Sequence, residues 1–156
     1  PDFARAILLF LMFFGACTGS TAGALKIARV VVLWKYACRQ VRKTFNPRQV
    51  IPTKLDGVAL PPTAIHAIAV FFFMYMAIFV IGTLGVSATG VDLPTAISAA
   101  ASCLGNVGPG LAAVGPLKNY GVLHPYAKWM LSLMMLAGRL EILPLLVLFS
   151  PRFWHK

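Results

Sequence analysis

Acidic side chains are nearly missing from this sequence: Asp and Glu together number 4 in 156 residues, against 14 Lys and Arg, for a formal charge of +10. That scarcity argues against an enzyme, because Ser20, Thr21 and Cys17 have no nearby His or acid to activate them. Cysteine is also sparse. Cys17, Cys38 and Cys103 show no CxxC spacing, and His66, His124 and His155 lack metal-ligand spacing, so neither a disulfide framework nor a zinc site is expected. No cofactor is expected. Charged residues make up only 12% of the chain, while 59% is hydrophobic and the mean hydropathy is +0.81. So much apolar surface makes the bilayer the natural solvent. A basic excess in a soluble protein would suggest nucleic acid, but there is no basic, aromatic-studded polar face to carry it. The bases gather instead between apolar segments and at the C-terminus, the mark of a cytosolic membrane face. The chain starts Pro1-Asp2-Phe3 with no initiator Met and no signal peptide upstream of Arg5, and is expected to be part of something longer.

The first apolar run, about Phe3 to Ala16, reaches roughly 20 Å as a helix, short of the roughly 30 Å hydrocarbon core. It leads into Gly15-Ala16-Cys17-Thr18-Gly19-Ser20-Thr21-Ala22-Gly23, a poor helix and a poor strand. A short helix followed by a glycine-rich extended stretch reads as a re-entrant hairpin, allowed at membrane depth where its backbone lines a wet cavity or is covered by protein. A second helix, about Ala24 to Phe45, carries Lys26, Arg29, Lys35, Arg39, Arg42 and Lys43 and stops at Asn46-Pro47. The polar linker to about Pro62 reads as a cytosolic loop. Ala67 to Val86 has no charge and about 20 residues, the clearest span. Pro94 to Leu104 is again too short, and again ends in glycine-rich chain, Gly105-Asn106-Val107-Gly108-Pro109-Gly110. A polar connection from Gly115 to His124 leads to a last helix over about Pro125 to Phe149 and a basic tail. Phe71 to Phe73 and Tyr75 read as lipid-facing or packing residues, and Trp34, Trp129 and Trp154 as interfacial. With the basic linker and tail on one side, both hairpins enter from outside and the C-terminus is cytosolic.

The order short helix, glycine-rich stretch, long helix thus occurs twice, with Gly19 matching Gly108. A unit that cannot close a pore alone implies further copies around an axis. Potassium filters are built by such repetition, with backbone carbonyls replacing the ion's water shell and glycine letting them turn toward one axis. Each short helix also aims about half a negative charge at the membrane centre, favouring a cation there. The expected fold is all-α and membrane-embedded.

Residues Gly15 to Lys26, with Arg29 beyond, resemble the third filter and following inner helix of the Trk potassium-uptake family. Asn106-Val107-Gly108-Pro109-Gly110 resembles its fourth filter, and Ala137-Gly138-Arg139-Leu140-Glu141-Ile142 its last inner helix. The resemblance implies a pore of four membrane–pore–membrane repeats, of which residues 1–55 end the third and 56–156 form the fourth. Gly19 and Gly108 would then be the filter glycines, with Thr18, Ser20, Asn106, Val107 and Pro109 beside them, and potassium the transported ion. It also implies a break in the third inner helix near Lys35 to Arg39, which makes Lys35, Tyr36, Ala37 and Cys38 gate positions. Many members carry glycine there; this chain has Ala37 and Cys38. Further implied are a homodimer, a cytosolic nucleotide-binding regulatory subunit, and residence in the plasma membrane. Arg139, whose unpaired burial would cost about 2.5–3.5 kcal/mol by insertion scales, is either a helix-packing ion-pair partner or a cavity-facing gate charge. Glu141, two positions on, lies on nearly the opposite face. The nearest rival is a secondary transporter, which needs a polar coupling group at the midplane; Asn106 is the sole hairpin candidate.

Overall fold

The computed structural model describes residues 2–15, 25–45, 54–55 and 58–140. Among the described residues five α-helices dominate: α1 (Asp2–Phe13), α2 (Ile27–Phe45), α3 (Pro62–Ser87), α4 (Leu93–Gly105) and α5 (Pro125–Arg139). Two short 3₁₀ turns, Ala112–Val114 and Tyr120–Val122, shape the connection between α4 and α5. Among the described residues strands occur only as two-residue pairs. β1 (Phe14–Gly15) runs parallel to β2 (Leu25–Lys26), and β3 (Lys54–Leu55) runs antiparallel to β4 (Val58–Ala59). The first pair brings the two ends of the first glycine-rich stretch side by side. Thr18, Gly19 and Ser20 themselves lie outside the described residues, as do Cys17 and Glu141.

The longest helix, α3, begins five residues before the expected span because Pro62 suits a helix start, where its missing N–H costs nothing. Its apolar window has a mean hydropathy of 2.5 yet is only 17% buried. Apolar side chains such as Phe73, Val80, Ile81 and Leu84 point outward, so this is not the core helix of a soluble protein. At about 1.5 Å per residue its 26 residues exceed the roughly 30 Å hydrocarbon thickness. The expectation of a spanning helix holds, and Phe71 and Tyr75 resolve to packing, at 5% and 0% exposure.

The core lies around α4. Its 13 residues are too short to span, and nine of them are small: Ala, Ser, Thr, Cys and Gly. Small side chains let neighbouring backbones come close, and α4 packs against α1, α3 and α5 at once. Ala96, Ala99, Ala100, Cys103 and Leu104 are fully buried. From α5 the stripe Ala127, Leu131, Met134, Ala137 and Gly138 faces inward at helical spacing, while Trp129, Leu133 and Leu136 face out.

One expectation fails here. The break near Lys35 to Arg39 is absent, and α2 runs unbroken from Ile27 to Phe45. The reason is local: the segment contains no Gly or Pro, and Ala37 and Cys38 give the ladder no cause to open. Lys26 falls in β2, ahead of the helix. Arg29 stacks over the Phe71 ring, 4.4 Å from its centroid, so its partner is found on α3 of this same chain.

Candidate functional site

The second glycine-rich stretch is built from the end of α4. Asp92 opens that helix as N-cap, its carboxylate accepting from the Thr95 backbone N–H at 3.3 Å and the Thr95 hydroxyl at 2.9 Å. Gly105, expected in the loop, is the last helical residue. Asn106 then turns left-handed, with φ 54° and ψ 38°. Its N–H donates to the Cys103 carbonyl at 3.2 Å, and the Val107 N–H donates to the Ser102 carbonyl at 2.9 Å. These two bonds form a Schellman closure, which ends the helix abruptly and satisfies carbonyls that would otherwise be stranded. The Asn106 side-chain amide is also committed, donating to the Met135 carbonyl on α5 at 3.2 Å. A residue so tied acts as a tether between the end of α4 and α5.

Beyond it, Val107, Gly108 and Pro109 are exposed on one open edge. Gly108 has φ +108°, a region L side chains rarely adopt, and nothing lies within 4 Å of where its Cβ would be. Backbone conformation, not space, demands glycine there.

Three buried hydroxyls on α4 hold the chain that follows, and none of them was singled out from the sequence. The Thr95 hydroxyl accepts from the Ala113 N–H at 3.3 Å, the Ser98 hydroxyl from the Leu111 N–H at 3.0 Å, and the Ser102 hydroxyl donates to the Pro109 carbonyl at 2.8 Å. All three residues have 0% exposure. Their spacing of three and four places them on one helix face. Hydroxyls at that spacing in a short apolar helix were the available signal. From the other side the Tyr120 hydroxyl donates to the Gly108 carbonyl at 2.9 Å. Burial, helped by Cys103 nearby, pushes the Tyr120 phenol up to about 12, so it keeps its proton across physiological pH. The carbonyls of Gly108 and Pro109 are therefore each held by a protein donor. A carbonyl oxygen has a second lone pair, so these bonds orient the peptide planes without exhausting them.

Gly138 on α5 completes the site. A Cβ there would run into the Leu104 carbonyl and, at 2.9 Å, the Asn106 amide. Its absence lets α5 lie directly against the end of α4. Arg139 follows, exposed, one helical turn beyond Met135. Of the other expected gate positions, Lys35, Ala37 and Cys38 are exposed on α2 and Tyr36 is half-buried. The structure does not bring them to Gly108.

The whole chain, residues 1–156, matches the family model described as a cation transport protein, TrkH. The chain belongs to the TrkH cation transport family. It is 42% identical to the Trk system potassium uptake protein TrkH of Vibrio parahaemolyticus over 156 residues, covering all of this chain and 32% of that protein. Identity to the Escherichia coli TrkH is 40% with the same coverage, and to the Escherichia coli TrkG 32%. The crystal structure of the potassium transporter TrkH from Vibrio parahaemolyticus superposes with a TM-score of 0.87 at 41% identity, over 99% of this chain and 32% of that one. The chain thus spans about a third of the length of the TrkH relatives it matches, and its helices are those of a TrkH-type membrane protein.

Proposed function

We propose that this chain is the last part of a potassium-uptake pore in the plasma membrane, with residues 1–55 ending the third of four repeats and 56–156 forming the fourth. Potassium passes as cargo through a filter of backbone carbonyls. Asn106, Val107, Gly108 and Pro109 supply the fourth side, and Thr18, Gly19 and Ser20 the third. What carries the reading is the exposed Val107–Pro109 edge, springing from a buried helix too short to span, with a glycine at φ +108° and carbonyls oriented by Ser102 and Tyr120. A fixed ring of carbonyls can replace an alkali ion's hydration shell only if its peptide planes are held. The similarity to potassium uptake proteins supports the choice of ion.

The remaining repeats belong to the same polypeptide. The protein works as a homodimer under a cytosolic nucleotide-binding regulatory subunit, and its C-terminus is cytosolic. Arg139 acts as a gate charge below the filter. Lys35, Tyr36, Ala37 and Cys38 contribute to gating through movement of α2 as a whole, because the helix is unbroken.

The test is Gly108→Ser in the full-length parent, expressed in a strain lacking its own potassium uptake. Serine resists the left-handed backbone of Gly108, so the carbonyls shift. Potassium-limited growth should fall and rubidium uptake should lose its preference over sodium. Wild-type growth and selectivity would sink the filter assignment.

A further inference from the structure

A pocket of about 170 Å³ lies between the C-terminal half of α2 and the first turn of α3. That is more than ten times the roughly 10–15 Å³ a single water needs. Its walls are Tyr36, Arg39, Gln40 and Lys43 from α2, and Ile65 and His66 with Pro62 from α3. Two formal cations, an imidazole, an amide and a phenol converge on it, and among the described residues its lining holds no acidic side chain. Gln40 donates its amide N–H to the Tyr36 oxygen at 2.6 Å. The tyrosine oxygen is thereby the acceptor of that bond, which leaves its own hydrogen to donate. The two helices run in opposite directions here. Arg29 near the start of α2 meets Phe71, while Arg39 and Lys43 meet the beginning of α3. The N-terminal end of α3, with its positive dipole, is therefore part of the pocket wall.

The geometry points to a seat for the phosphate of an anionic phospholipid, held by Arg39, Lys43, Tyr36 and His66 at the basic face of the membrane. A soluble phosphate would satisfy the same donors, but the position favours lipid. The pocket stands at the first turn of the spanning helix, and the outward apolar surface of α3 begins one turn beyond it at Val70. The buried Ile65 forms the apolar floor. A headgroup seated there would continue into acyl chains along α3. Basic pockets between transmembrane helices at a cytoplasmic surface suit such headgroups. This site rests on the membrane reading alone and is independent of the filter.

The experiment uses the purified full-length parent in neutral detergent, with thermal unfolding followed as phosphatidylglycerol, phosphatidylcholine or inorganic phosphate is added. Phosphatidylglycerol should stabilise the wild type and phosphatidylcholine should not. In the Arg39→Gln, Lys43→Gln double variant the apparent affinity for phosphatidylglycerol should drop about twenty-five-fold, two charges near the membrane surface each being worth about a factor of five. Arg42→Gln, also exposed on α2 but outside the pocket, should keep wild-type affinity. Equal loss in Arg42→Gln would mean diffuse attraction and overturn the site. Equal protection by inorganic phosphate would overturn the lipid assignment, and so would protection by phosphatidylcholine. Rubidium uptake measured on the same variants separates this outcome from a failure of the filter reading.

Discussion

Adding one methyl group at Gly138 should damage the Gly108 loop, the proposed filter, from a distance of one helix. A Cβ at that position meets the backbone carbonyl of Leu104, which cannot swing aside as a side chain would. The helices must part, and overpacking of this kind costs about 1–3 kcal/mol. Parting them also stretches the bond from the Asn106 amide to the Met135 carbonyl, worth about 1 kcal/mol. Alanine recovers about 1 kcal/mol in helix propensity, so Gly138→Ala should destabilise by a net of about 1–3 kcal/mol. Leu104 and Asn106 lie just before Val107 and Gly108, so the strain falls on the Gly108 end of α4. Measured on the full-length parent, the variant should unfold several degrees lower and show weakened potassium-over-sodium preference in rubidium competition. Gly115→Ala is the control: its Cβ would sit 3.4 Å from the Ala112 carbonyl, with φ −65° already suited to alanine. If Gly138→Ala and Gly115→Ala behave alike in both assays, the close approach of α5 to α4 is refuted.

Tyr120→Phe removes the donor to the Gly108 carbonyl and should cost about 1 kcal/mol, read as sodium leak in the uptake assay. The wild-type phenol must be neutral to donate, and its pKa is raised from 10 to about 12. Its contribution is therefore complete below about pH 10 and lost as pH rises through about 12, so wild-type selectivity should be flat from pH 6 to 9. Asp92→Ala strips the α4 N-cap and should destabilise by about 0.5–2 kcal/mol; no change in thermal unfolding would show that the cap is redundant. Arg139→Ala in the full-length parent should raise rubidium flux or loosen gating, and unchanged uptake would count against a gate charge.

Much of the helical plan is legible in the chain because composition and length decide it. The uncharged stretch Ala67 to Val86 has nowhere stable but a bilayer, and α4 is too short to cross one. Gly108 is similarly readable, since a glycine-rich stretch at the end of such a helix invites left-handed backbone, and φ +108° is what it adopts. The gate break was expected only from family resemblance, and α2 obeyed its own residues instead. Periodicity spoke weakly for Thr95, Ser98 and Ser102, because small hydroxyl residues in an apolar helix equally suit plain helix packing.

Local chemistry along the chain therefore determined which segments are helical, that Ala67 to Val86 is long and apolar enough to span, and where the backbone must bend after a short helix. Tertiary structure alone decided that Asn106 is a tether to α5, that Tyr120 reaches back twelve residues to Gly108, and that Gly138 is a point of helix contact. The physical reason is range: hydrophobicity and backbone preference act on neighbours in sequence, whereas a hydrogen bond between distant residues exists only after the helices have packed.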